Sequence, residues 1–417
     1  MEPNLPPGLD EYEMHWFHRR DFLLQQGYRL RPKFDPDFAS RYHVLDETAL
    51  DELRAGFYRH TIMDAVRMTD GAKVMLKLVY TSLHPHEVEI AQLFSSPLHL
   101  GHPRNHCIPL LDLLQEPEDP DIQIMVMPLL VSFQEPLFET VGELVDCWRQ
   151  IFEGMQYMHE NFVAHRDCTL LNILQDPILL YPEGFHPVQT LMDPAYKHLS
   201  RPITRTECWP RYYIIDFGLS RRYDPAQGSP MEDVIRGADR SPPEHIGAAY
   251  DLPCNPFPTD IYFLGNLLKE EFVYKGFPRA SHDRLWLYRP LRFLRPLIKD
   301  MTRKNPARRP TIGEVVERFE KITRKLSSEH LRKPGQRIHR RDRKVQLVRQ
   351  NKNISNGAPA LPPYTPPTIV PLSPEMRVFY TQKRTNHEGA AIGQMLRVVD
   401  GAQKWCRDTL RRIVVNN

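Results

Sequence analysis

Two short stretches hold side chains suited to one kind of chemistry. The first is His165-Arg166-Asp167-Cys168-Thr169-Leu170-Leu171-Asn172, with a carboxylate and an amide five positions apart. Moving a phosphoryl group needs a carboxylate that takes or orients a hydroxyl proton, and a metal ligand close by on the same rigid loop. Asp167 and Asn172 meet those two needs. The second is Tyr212-Tyr213-Ile214-Ile215-Asp216-Phe217-Gly218, where an apolar strand pattern runs into an Asp and then a turn-permitting Gly. An Asp at a strand end suits a hard cation such as Mg²⁺. Lys77 interrupts an apolar strand, Val74-Met75-Leu76-Lys77, and is a candidate cation. A lone strand lysine is otherwise simply solvated.

These residues must be held by folded elements, and the hydrophobic pattern supplies them. The segment from Asp10 to Gly27 reads as one amphipathic helix ended by Gly27. A strand pair is expected over Gly56–Arg67 and Lys73–Val79 around Thr69-Asp70-Gly71, then a helix over His86–Phe94 and a buried strand over Ile122–Met127. Val141, Leu144, Val145, Trp148, Ile151, Phe152, Met155 and Met158 step by three and four, the mark of one long buried helix. Ile261–Phe272 and Ile312–Leu326 read as further helices. The divisions expected are an extension over 1–45, a strand-rich part over 46–130, a helical part over 131–326 and a tail over 327–417.

In this order the motifs resemble a protein kinase catalytic domain over roughly residues 45–326. Lys77 resembles the third-strand lysine that grips nucleotide phosphates. Pro242-Pro243-Glu244 resembles the APE motif, and Arg309 its buried partner. Asp260-Ile261-Tyr262-Phe263-Leu264-Gly265 resembles the stretch that braces the catalytic loop. The GYRLRP segment and the HRDCTxxNIL form are similar to divergent fungal kinase-like proteins. The resemblance implies an α+β, two-lobed fold with ATP and Mg²⁺ between the lobes. Asp167 would orient the acceptor hydroxyl, Asn172 and Asp216 would hold Mg²⁺, and Lys77 would grip the phosphates. Its partner is expected to be Glu89, with Glu87 as the alternative. Gly56 would sit under the phosphates, and Met127 and Leu129 beside the adenine. Arg166 implies control through the segment 216–244, where Ser229 is the candidate modification site.

The chain departs from the pattern in three places. Aligning Leu53–Arg59 to the glycine-rich loop keeps only Gly56. Thr169 stands where serine/threonine kinases carry a Lys. Asn172 and Asp216 are 44 positions apart, against roughly a dozen in most kinases. The surplus, 177–210, is expected as a projecting insertion, either inert or partner-binding. The leading expectation is transfer from MgATP to a protein Ser or Thr. A pseudokinase scaffold is the alternative, motivated by the poor glycine loop and Thr169. A small-molecule phosphotransferase fits less well, because such proteins usually lack Arg166, the Glu244–Arg309 pair and a true DFG.

Composition sets outer bounds. Six scattered cysteines without a CxxC pair suggest no disulfide framework. No apolar run reaches the ~20 residues of a membrane span, and no secretory pattern opens the chain, so an intracellular protein, in cytoplasm or nucleus, is expected. Residues 327–417 hold 17 Lys and Arg against 6 Asp and Glu, whereas residues 1–326 hold 38 against 46. The basic run 331–349 and the proline-rich 358–374 read as a largely disordered tail. Such a tail suits nucleic acid, an acidic partner or the acidic body of its own chain.

Overall fold

A computed structural model describes residues 9–35, 56–57, 59–235, 237–274, 290–335 and 340–362. Residues 53–55 of the glycine-loop alignment, the proline-rich stretch beyond Pro362 and Cys406 lie outside them. The architecture is α+β. A five-stranded antiparallel sheet has the order β1-β2-β3-β5-β4, with β1 Tyr28–Arg29, β2 Ile62–Arg67, β3 Lys73–Tyr80, β4 Asp112–Gln115 and β5 Ile122–Pro128. The β2–β3 turn forms as its residues dictate, with Gly71 at φ +72° and the Asp70 carboxylate accepting from the Ala72 N–H. The sheet curls far enough for the Tyr28 hydroxyl on its first strand to donate to Asp112 on its last, at 2.8 Å.

β-Strand alternation decides which side chains face the site. Val74, Leu76 and Leu78 of β3 are buried on one face against Trp16, Leu23 and Phe34. Met75 and Lys77 therefore point to the other. The expected single helix is two, α1 Glu11–Phe17 and α2 Arg20–Gln25. The chain tightens at Arg19, whose N–H bonds to Trp16 O, and the Arg19 side chain reaches Glu116 at 2.5 Å. Residues 9–34 are thus not a detached extension. They cover one face of the sheet and provide its edge strand.

Helices build the other part around α3 Glu87–Ser95, α4 Val141–Glu160, α5 Arg205–Cys208, α6 Pro256–Leu268, α7 Arg295–Met301 and α8 Ile312–Thr323. α4 starts at a capping box between Thr140 and Glu143 and is buried nearly all round. Trp148 and Phe152 on α4 pack with Phe319 on α8 and with Leu264 on α6 in one large core. Short strands finish the frame: β6 Val131–Ser132, β8 Ile173–Gln175 and β9 Tyr212–Ile214 form one sheet, and β7 Val163–Ala164 pairs with β10 Arg221–Arg222.

Two expectations change here. The 177–210 segment is part of the core: Leu180, Tyr181 and Phe185 are buried with Leu129 and Val131. Its Arg205 is 1% exposed, donates to Phe133 O and Pro136 O, and lies 4.1 Å from the Phe138 ring centroid. The start of the tail is ordered as well, in α9 Ser328–Leu331 and α10 Arg340–Ser355. It straps the N-terminus of α4. Val141 N–H donates to Lys333 O at 2.8 Å, Gly335 N–H to Glu139 O at 3.0 Å, and Gln346 Nε2 to the same oxygen at 2.8 Å. Asn353 Nδ2 reaches Thr204 Oγ1 in the 177–210 segment at 3.0 Å. A side chain at Gly142 would collide with Ala360 O, so this glycine is what lets the strap lie close. Polar composition suggested disorder, but the Gln346 and Gln350 amides, which donate to the Glu139 carbonyl just ahead of α4, give the segment a seat. No helix among the described residues is long and apolar enough to cross a membrane.

Candidate functional site

Lys77 reaches the site because it sits mid-strand on the open face of β3. Its ammonium pairs with Glu87 and lies 2.9 Å from Asp216 Oδ1. Burial alone lowers the pKa of this lysine, but the Glu87 and Asp216 charges outweigh it and raise it. Glu89, the expected partner, is 64% exposed and lies 3.8 Å from His86. Helix geometry explains the correction. Glu87, Ile90, Ala91 and Phe94 form the buried i, i+3, i+4, i+7 stripe of α3, and Glu89 is about 200° around from Glu87.

Asp216 follows β9, and β9 pairs with β8, which leaves Asn172. The N–H of Ile215 donates to Asn172 O at 3.0 Å, so strand pairing brings Asp216 and Asn172 together across the 44-position gap. Burial pushes the Asp216 carboxyl up, yet Lys77 and the Gly218 N–H prevail and hold it below the usual range. Asp216 and Arg166 have φ of +67° and +69°. Such left-handed backbone at non-glycine residues is strained and collects at functional sites. The adjoining Phe217 is buried between Phe94 and His165.

The loop 165–172 hangs from one buried carboxylate. Asp260 on α6, fully buried, accepts the backbone N–H groups of His165 at 2.8 Å and Arg166 at 2.7 Å, and lies 3.0 Å from His159 Nε2. Asn172 Nδ2 donates to Asp167 O at 2.8 Å and to Asp167 Oδ2 at 3.2 Å. Ala238 N–H donates to Asp167 Oδ1 at 2.9 Å. Burial raises the Asp167 pKa, against the opposing pull of the Ala238 hydrogen bond. Arg166 pairs with Glu232 at 2.7 Å, a contact that the motifs did not foretell. Glu244 and Arg309 form a buried two-pronged pair, with the longer contact 2.6 Å.

Lys77, Asp167, Asn172 and Asp216 are therefore linked in one chain of contacts. The remaining candidates Gly56, Met127 and Leu129, like Glu89, are not part of it. Gly56 is buried against α1, where an added Cβ would stand 3.0 Å from Glu13 Oε1 and 3.3 Å from Asp10 Oδ2. Met127 is 7% exposed and pairs in register with Met75. Leu129 belongs to the cluster with Leu180, Tyr181 and Phe185, and Lys73 Nζ donates to Phe185 O at 2.8 Å. No group of three or more His, Cys, Asp or Glu side chains fit for a metal occurs among the described residues.

A lysine, two aspartates and an asparagine are also the side-chain types that phosphoryl-transfer chemistry uses. The chain is similar in sequence to a protein kinase. Over 283 residues, 61% of this chain, it is 24% identical to a "Light-sensor Protein kinase" of Ceratodon purpureus, and the match spans 19% of that protein. The chain therefore matches about a fifth of the length of this relative. No family model matches. The similarity supports a kinase-like relationship.

Proposed function

We propose that the chain is a protein kinase that transfers the γ-phosphoryl group of MgATP to a Ser or Thr hydroxyl of a protein. The observation that carries this reading is the ion-paired set Lys77–Glu87–Asp216, joined through Asn172 to Asp167. On this reading the sheet and the helical part are the two lobes of a kinase.

Asp167 orients the acceptor hydroxyl and takes its proton. Its raised pKa makes it a better proton acceptor than an exposed carboxylate. Lys77 is fixed as a cation by its two carboxylates and binds the phosphates. The metal site would be built from oxygen donors. Asn172 spends its amide N–H on Asp167, which leaves its carbonyl oxygen, and Asp216 supplies a carboxylate. Such a set fits Mg²⁺, which would offset charge on the phosphates. Thr169 brings no positive charge to the loop. A missing cation beside a developing phosphoryl charge costs roughly 10²–10³ in rate, so slow turnover is expected.

A second reading is supported by Gly56, which faces α1, and by Leu129 packed under the 177–210 segment. On that reading the chain is a scaffold that binds nucleotide weakly. Transfer from labelled MgATP to itself and to generic substrates, compared between wild type and Asp167→Asn, separates the two. Transfer abolished by the substitution supports the kinase. Thermal stabilisation by MgATP with no transfer in either protein supports the scaffold. For the basic run 331–349, nucleic acid is a separate proposal, marked by an affinity that falls steeply with salt.

A further inference from the structure

Arg166 precedes Asp167 directly, and its side chain is only 7% exposed. A guanidinium so withdrawn from water requires a fixed anion. That anion is Glu232: its Oε2 lies 2.7 Å from Arg166 Nη2, and its Oε1 accepts from Arg221 Nη1 at 2.7 Å. The second Arg166 nitrogen donates to Leu219 O at 3.2 Å. Glu232 and Arg221 are located by backbone pairing, and Arg166 by its N–H on Asp260. Glu232 and Cys254 exchange both N–H···O bonds, at 3.0 and 2.8 Å. Arg221 lies opposite Ala164 in the β7–β10 pair. One carboxylate thus ties the segment 216–244 to the loop that carries Asp167, and six residues further on Ala238 meets Asp167 itself. Ser229 takes no part in the clamp: its Oγ accepts from Asn255 Nδ2 at 3.0 Å.

We propose that Glu232 is a positioning residue of the site, which acts through Arg166 to set Asp167 and the segment 216–244 without covalent modification of that segment. The proposal rests on the kinase reading for its catalytic half. A carboxylate shared by two guanidiniums does the work that a phosphate group does when it orders a loop against arginines. Unlike a phosphate, it is permanent.

The test compares full-length wild type, Glu232→Gln, Glu232→Asp and Ser229→Ala by hydrogen exchange over 219–238 and by steady-state transfer. Glu232→Gln is expected to speed exchange there about tenfold, with α4 and α8 unchanged. It is expected to lower kcat about ten- to a hundredfold while KM for ATP stays within about twofold. Glu232→Asp keeps the charge and should recover most of both. Phosphatase-treated wild type and Ser229→Ala should match untreated wild type. Unchanged exchange in Glu232→Gln overturns the proposal, as does a rate that phosphatase abolishes. If wild type transfers nothing, the kinase reading fails, while the exchange measurement still decides whether Glu232 holds the segment. Should Glu232→Gln fail to fold, Arg221→Gln, which cuts one arm of the clamp, carries the exchange comparison with the same expected sign.

Discussion

Gly237 lies directly against the carboxylate of Asp167. A Cβ at position 237 would overlap Asp167 Oδ1, and the next residue donates its N–H to that oxygen. The segment 216–244 and the proposed catalytic carboxylate thus share a contact that only a glycine permits.

Gly237→Ala is therefore expected to push the segment away and to lose the Ala238 hydrogen bond, at a stability cost of about 1–3 kcal/mol. In an Asp167→Ala background the overlap is gone and the same substitution should cost much less. A double-mutant cycle by urea denaturation measures the difference. Additive effects would show that the two residues are not coupled.

The two glutamates of α3 make a second contrast. Glu87→Gln removes the 2%-exposed partner of Lys77. Breaking such a buried pair costs about 3 kcal/mol, and weaker MgATP binding and a transfer rate lower by roughly tenfold or more should follow. Glu89→Gln, on the solvent face, should match wild type in both. Parallel thermal melts with and without MgATP, alongside transfer rates, check the pair. Equal effects at the two positions would contradict the helix orientation.

Glu139, beneath the strap of the tail, predicts a pH signature. Its carboxyl is pushed up from 4.5 to about 7 by burial and by the Glu143 charge, against the pull of Arg349. The fold therefore binds this proton more tightly than the unfolded chain does. The stability contributed is full below pH 4.5 and is lost as pH rises through about 7. The full span is about 3 kcal/mol. Glu139→Gln should match wild type near pH 4.5 and exceed its stability at pH 8. Buried histidines such as His106, whose pKa is lowered by burial, act with the opposite sign. The difference between the two proteins, measured by denaturation at several pH values, isolates Glu139.

Truncation after Leu326 removes the strap over α4. It exposes the Val141 N–H and uncovers the surface that buries Leu331 and contacts Leu361. Losing the strap's hydrogen bonds and uncovering the apolar surface beneath Leu331 and Leu361 costs roughly 3–5 kcal/mol. A lower unfolding temperature without gain of activity is the expected result. Higher activity in the truncated protein would instead mark the tail as autoinhibitory.

Much of this protein was legible residue by residue. The α4 stripe, the apolar strand runs, the Asp70-Gly71 turn and the order of the Asp167, Asn172 and Asp216 motifs all depend on local periodicity and local backbone preference, which neighbours in sequence set. What needed the tertiary structure was every choice between local equivalents and every contact between distant segments. Two glutamates on one helix are alike until the sheet decides which face is buried, and it buries Glu87. Glu232 is one of many surface-type carboxylates until strand β10 and Cys254 bring it to Arg166. The surplus length of 177–210 and the basic run 331–349 suggested a projecting insertion and a solvated tail. Their seats against Leu129, Glu139 and Gly142 exist only once the strands and α4 have assembled. Composition counts side chains, whereas burial depends on which surfaces meet.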